Sequence, residues 1–583
     1  MRIIILLLTI TSSLVISEDL LSPRIRTSIT EYNESIKSFN FTTEQYDVVT
    51  YHVKGDPFLV GTVNKLHVFN FTDSKNTSID FSPEKEDDGY SSNCESTDKN
   101  YITFIGSYQN KTTVCGTNAC SPKCWFLVGY NNKTKGPSGL GLAPYKFNSS
   151  NDDIVLVDGD NIYSTIPKYQ RLHKKFRRIL GNDELYNSDS VLRNPTFIKI
   201  VALNESNPIN DTIYVFLLEG GKSKVFRVCK GDKGATGSLS SSKWSTLLKS
   251  VLVCKDNNNR HFSKLIEVFV SQNSINTHFY GLFMNEWGFS AVCMFNFKNM
   301  QRIFNISPLK GFTGKIPNPR PGTCLTSSTP SDTFKVIDEY PEINMTMLGE
   351  MLFESRYPYT HLVVNTTKIH YKSKYYNVTV LYLSTDNGKI HKVVTYKDGS
   401  ICVMEVSLKQ YYSPVLSMNL DNFTNKLYVS YNDTIIQLPT ALCSMYGKTC
   451  NECVMSRDPD CGWSENKSNG KCIYGNGTKI LKYNVTGYEN TCSSSKVQHK
   501  YLNRTIMLSP SSYHVLSCPT VSYQATYKWL KDNSTIKECV VGIDDCSYMI
   551  SDINNKLGEY ICTSEESWSS MVSMVDNLKL ITR

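Results

Sequence analysis

The sequence predicts an all-β chain in three parts: a large strand-rich unit best closed as a β-propeller, a small cystine-rich module, and a C-terminal immunoglobulin-like sandwich. Three observations carry this. From about Tyr46 to Leu438, short β-branched and aromatic runs such as Asn377-VTVLYLS and Asn425-KLYVSY are broken by turn signals including Asp386-Asn387-Gly388 and Asn432-Asp433, without long helical periodicity. Cys443, Cys450, Cys453 and Cys461 then crowd into one short stretch. Finally, Cys518, Trp529, Tyr560 and Cys562 stand at the spacing of an immunoglobulin core.

At the N-terminus Arg2 precedes the apolar run Ile3 to Ile10, and Val15-Ile16-Ser17 supplies a small-residue cleavage pattern, so residues 1–17 read as a secretory signal peptide. That run is too short to span a bilayer. The C-terminal MVSMVDNLKLITR lacks the features of a lipid-anchor signal, so a secreted, extracellular protein with no membrane anchor is expected. In that compartment 19 cysteines argue for a disulfide framework, and the odd count leaves one over. About twenty Asn-x-Ser/Thr sequons, among them Asn33, Asn70, Asn110, Asn204, Asn305, Asn377, Asn432 and Asn503, mark candidate glycosylation sites on surface loops. With 62 basic and 54 acidic residues, the net charge of +8 is spread over 583 residues, which excludes the concentrated basic face of a nucleic-acid binder.

The strand-rich region is too long for one sandwich, and a propeller removes the exposed edges that an open sheet would leave. On strand pattern alone, tandem sandwiches remain the alternative. The cysteine-dense stretch that follows cannot bury much core and reads as a disulfide-stapled knot with a geometric role. Cys450-x-x-Cys453 has the form of half a zinc site, but it lacks the second close pair that a zinc knuckle needs.

Particular words in the chain resemble the semaphorins. Val114-CGTNACSPKC, Arg227-VCKGDKG, Lys243-WSTLLKSVLVC, Ser290-AVC and Asn318-PRPGTC, in that order, look like a sema domain, and the knot resembles the plexin-semaphorin-integrin module. Gly159-DNIYSTI, Phe176-RRILGNDELYNSDSVLRNPTFIK and Leu383-STDNGKIHKVV look like class 7 semaphorins and their viral relatives. The resemblance covers the mature chain and divides it into a sema propeller over 18–441, the knot over 442–493 and the immunoglobulin-like domain over 498–583. It implies a seven-bladed propeller, a homodimer, and a class C plexin as receptor on host leukocytes. An abundance of Asn, Lys, Ile and Tyr suits an AT-rich genome and hence a viral mimic.

The resemblance also pairs Cys115 with Cys124, Cys229 with Cys324 and Cys254 with Cys293. Cys443, Cys450, Cys453, Cys461, Cys472 and Cys492 belong to the knot, and spacing leaves their connectivity open. Cys518 with Cys562 bridges the immunoglobulin sheets, and Cys539 with Cys546 closes a local loop. Of the rest, Cys94 is expected to bond Cys120, leaving Cys402 as a buried free thiol.

Chemistry is sparse. The histidines are scattered and none forms a zinc-protease pattern. Gly221-Lys222-Ser223 imitates the end of a phosphate loop, but the required first glycine would fall at Phe216; Gly136-Pro137-Ser138-Gly139-Leu140 lacks the last glycine of a nucleophile elbow. No catalytic, metal or cofactor residue is indicated, and the expectation is a ligand, not an enzyme. Two stretches remain as binding candidates. Lys174 to Arg178 is a short basic run whose rival reading is a solvated loop. Lys230-Gly231-Asp232 falls where class 7 semaphorins carry an Arg-Gly-Asp tripeptide for beta-one integrins, its rival being an ordinary Gly-Asp turn. An integrin-directed adhesion ligand and a soluble fragment of a plexin-like receptor are therefore the alternatives to a plexin ligand.

Overall fold

A computed structural model describes residues 22–581 except 30–35, 42–48, 53–56, 85–98, 148–152, 168–174, 182, 273–275, 372–373, 397–398, 448, 467–468, 476–479, 481–491, 493–500, 510–511, 540–545, 552–555 and 567–568. Seven antiparallel sheets begin with the strands Val49–His52, Ile102–Tyr108, Val155–Asp158, Thr196–Leu203, Lys264–Gln272, Tyr359–Tyr371 and Ser417–Asp421. Each first strand lies against the first strand of the next sheet. The last returns to the first, where the Thr50 and Ser417 hydroxyls lie 2.6 Å apart. The sheets are thus blades 1 to 7 of a closed propeller, and tandem sandwiches are ruled out.

Blade 4 shows why the sequence reads as unbroken apolar runs here. Along Thr212–Glu219, Ile213, Val215 and Leu217 face blade 3 with Tyr163 and Phe176, while Tyr214 and Phe216 face blade 5 with Val268 and Phe279. Both faces of the strand are covered, so the alternation of a half-exposed sheet is lost. The phosphate-loop lookalike is the tip of this hairpin, at Gly220 and Gly221, both at positive φ.

The N-terminal segment fastens the ring. Lys37–Asn40 forms the outer strand of blade 7 against Thr434–Pro439, and Ile25–Ser28 adds a parallel strand to blade 6 against Gly399–Ser407. Buried Arg24 then donates to both Glu566 oxygens of the immunoglobulin domain, at 2.9 and 3.1 Å, and its carbonyl accepts from the Tyr523 N–H at 2.8 Å. The three parts of the chain meet at this strand.

In the small module, Thr449 and Glu452 cap the helix Cys450–Met455 reciprocally, and Trp463 is fully buried over Gly470, where any Cβ would come 2.0 Å from the indole. The bonds are Cys443–Cys461, Cys450–Cys492 and Cys453–Cys472. Cys450 and Cys453 therefore point to different partners, which removes the zinc reading. The module's core is continuous with blades 6 and 7. Between them Lys392, on the third strand of blade 6, donates to Asp458 at 2.8 Å, to Asp460 at 2.9 Å and to the Thr440 carbonyl at 2.8 Å.

The last domain has a five-stranded sheet and the pair His514–Cys518 and Cys546–Ile550, bridged by Cys518–Cys562. Trp529 is fully buried on this bridge, and the Tyr560 hydroxyl donates to the Lys556 carbonyl at 2.7 Å, making a tyrosine corner.

Blade 6 holds a buried proton-linked chain. Ionised Glu405 only accepts, so His391 carries its proton on Nε2, 2.9 Å away, and its Nδ1 accepts from the Tyr359 hydroxyl at 2.7 Å. Burial lowers the His391 pKa below its ordinary value. Burial alone would raise Glu405, but hydrogen bonds from His391 and Lys389 hold it at about 2. The unfolded chain therefore binds more protons, at the histidine below about pH 6.5 and at the carboxylate below about 4.5. Stability present at neutral pH should fall as pH drops through this window towards 2. Thermal melts at stepped pH should show the loss, with a shallower slope below pH 4.5 in Glu405→Gln.

Candidate functional site

The Lys230-Gly231-Asp232 tripeptide begins the connection between the third and fourth strands of blade 4. It does not present an acid to solvent. Asp232 is 3% exposed, and its carboxylate accepts from the N–H groups of Gly234 (2.8 Å), Ser245 (2.9 Å) and Thr246 (2.9 Å) and from the Ser245 and Thr246 hydroxyls (2.7 and 2.8 Å). Lys230 is drawn the other way, to Asp158 of blade 3 at 2.6 Å and to Asn204, while its carbonyl accepts from Arg178 at 2.7 Å. Only Gly231 is exposed. An integrin reads the carboxylate of such a tripeptide through a metal, and this carboxylate is already saturated inside the fold. The turn reading describes the observed geometry.

The basic run is likewise absorbed where it is described. Arg177 pairs with Glu184 at 2.5 Å, Lys175 with Asp189 at 3.0 Å, and Arg178 lies over the Trp244 ring. Lys174 lies outside the described residues. Phe176, between them, is buried and stacks on Trp244.

In the propeller the bonds are Cys115–Cys124, Cys229–Cys324 and Cys254–Cys293, and Cys539–Cys546 joins two strands of the last domain. Cys120 is disulfide-bonded; Cys94, its expected partner, lies outside the described residues. Cys402 is free and fully buried against blade 5, and burial pushes its thiol pKa up. Among the described residues no cluster of His, Cys, Asp or Glu has the makings of a metal site, and no helix is long and apolar enough to cross a membrane.

The faces of the propeller differ. Four strands per blade return the chain to the face where it entered, so one face carries the blade-to-blade crossings and second-to-third strand turns, and the other carries the remaining hairpin turns. Sequons Asn70, Asn110, Asn204 and Asn377 lie at the hairpin face, as do Asn132, Asn210 and Asn422. At the crossing face the described residues offer Asn432 and Asn40, both on blade 7. Asn305 is on the long excursion of blade 5, Asn503 is in the last domain, and Asn33 lies outside the described residues.

Sequence reasoning did not single out a further group. A cavity of about 200 Å³ between blade 4 and the blade 5 excursion is lined by Glu205, Thr212, Arg227, Asn305 and Arg320, among others. Both arginines stand inside words that carry the resemblance, Arg227-VC and Pro319-Arg320-Pro321, yet nothing local marks them as neighbours.

A closed propeller, a disulfide knot docked on its last blades and one immunoglobulin-like domain define the extracellular sema class of protein. The sema domain family matches residues 248–422, the plexin repeat 442–504, and the immunoglobulin-like domain of semaphorins 3, 4 and 7A residues 500–574. Human semaphorin-7A is 35% identical over 90% of this chain and 82% of its own length, and the mouse protein is 34% identical over 90% and 83%. Drosophila semaphorin 2a superposes with a TM-score of 0.75 at 20% identity, covering 97% of this chain and 99% of that one. A chain from the complex of Drosophila plexin A with semaphorin 1b gives 0.63 at 18% identity over 77% and 96%. The chain belongs to the semaphorin family and is class 7-like.

Proposed function

We propose that this semaphorin is a secreted ligand, not an enzyme, that binds a class C plexin through the crossing face of its propeller and, as a dimer, gathers two receptors to alter leukocyte adhesion and migration. The uneven placement of sequons carries this reading. Glycans at the hairpin face would obstruct a protein partner, whereas the crossing face of blades 1 to 6 is clear among the described residues. The class 7-like stretch 176–199 includes the crossing from blade 3 to blade 4 on that clear face. One propeller face supplies the roughly 800 Å² per partner that a specific interface buries, and two linked sites raise avidity by effective concentration. The buried Asp232 leaves the integrin alternative without support.

A glycan wedge tests the surface. Ser188→Asn creates the sequon Asn-Asp189-Ser190 in the crossing loop and, once occupied, should weaken class C plexin binding by about a hundredfold or more, since a glycan prevents close packing at the interface core. Asn204→Gln on the hairpin face should leave binding unchanged. Surface binding to the four plexin classes reads both, and a truncation ending at Cys492 should retain most affinity. Full binding by the glycosylated variant, or a preference for another class, defeats the proposal.

A further inference from the structure

We infer that the cavity between blade 4 and the blade 5 excursion is a binding site for a small tetrahedral oxyanion, supplied either as a free ion or as the sulfo group of a sulfated sugar. Its wall brings Arg227 and Arg320, distant in sequence, to one cavity with Thr212 and Glu205. Arg227 is 5% exposed; it donates to Asn305 Oδ1 and to the Gly322 carbonyl, each at 2.9 Å. Arg320 donates to the Ser307 carbonyl. Neither guanidinium has a carboxylate at ion-pair distance among the described residues, and the Nε of each is buried without a partner. The Thr212 hydroxyl on the same wall is also buried and unpartnered.

Three such orphans around one cavity call for an acceptor with several oxygens. Water could meet the hydrogen bonds, since the volume is several times the roughly 30 Å³ of one molecule, but it would leave the charge unbalanced. Two guanidiniums face one carboxylate, and Glu205 is turned to Gln301, whose amide donates to it at 2.7 Å. Burial is the main effect that disfavours the charge on Arg227; Tyr214 and Glu205 offset it in part, and the nearby Arg320 adds to it. A multivalent oxyanion relieves both effects, and planar guanidinium forks are the side chains that fit it best.

The test uses the full chain in buffer free of phosphate and sulfate, titrated with sodium sulfate, sodium phosphate or a sulfated heparin disaccharide, against sodium chloride of equal ionic strength. The expected result is a saturable rise in melting temperature and a one-to-one isotherm by calorimetry. Arg320→Gln should weaken binding by about ten- to a hundredfold, the range for a lost charge-assisted hydrogen bond. Glu205→Gln keeps the acceptor for Gln301 but removes a repelling charge, so it should tighten binding several-fold; this gain guards against a variant that merely folds poorly. Disaccharide bound more tightly than sulfate identifies the sugar as the source, and equal or weaker binding identifies the free ion; either supports the site. A response that never saturates, is matched by chloride, or persists unchanged in Arg320→Gln overturns it.

Discussion

Alanine in place of Asp232 is expected to destabilise the propeller by about 3–5 kcal/mol. Three backbone N–H groups, of Gly234, Ser245 and Thr246, would lose their acceptor inside blade 4, and an unsatisfied buried donor costs about 1–3 kcal/mol. The Ser245 hydroxyl can turn fully to Thr329, 2.7 Å away, which recovers part of the loss. Lys230→Ala removes a partly exposed pair with Asp158 and should cost no more than about 1 kcal/mol. Secretion yield and melting temperature of the two variants decide the matter. An adhesive tripeptide predicts well-folded proteins that lose integrin binding together, whereas a folding staple predicts one damaged protein and one nearly normal one.

The second large effect is expected at the seam between propeller and knot. Lys392 is 5% exposed; burial opposes its charge, but Asp458 and Asp460 hold its pKa well above the ordinary value. Lys392→Ala would leave the fully buried Asp458 carboxylate with the Tyr446 hydroxyl, 2.6 Å away, and no cation. Removing one partner of a buried pair costs about 3–5 kcal/mol. The loss should appear as early proteolysis near the module and a lower first melting transition. Lys392→Met combined with Asp458→Asn should lose less than the sum of the single variants, because no charge is stranded. Additive losses would show that the seam is held by packing alone.

Much of the architecture was legible because it is written locally. Short β-branched and aromatic runs, turn signals such as Asp386-Asn387-Gly388 and the spacing of Cys518, Trp529, Tyr560 and Cys562 each act over a few residues, so the reading of strands and of the last domain needed no distant contact. The semaphorin words extended this to the number of blades. The choice between an adhesive motif and a turn at Lys230 to Asp232 was not legible for the opposite reason. A polar tripeptide after a strand looks exposed, and only donors from residues 245 and 246, brought back by the same long connection, turn its acid inward.

By itself, then, the sequence determined the three β units, their order and the cysteines available to staple them, since each depends on periodicity and on spacing along the chain. Tertiary structure decided which knot cysteines meet, on which face the described sequons of blades 1 to 4 gather, and that Arg227 and Arg320 share one cavity. These are consequences of closing the ring: the blade 5 excursion carries Arg320 back against blade 4, and a contact between residues so far apart leaves no trace in the local pattern of either segment.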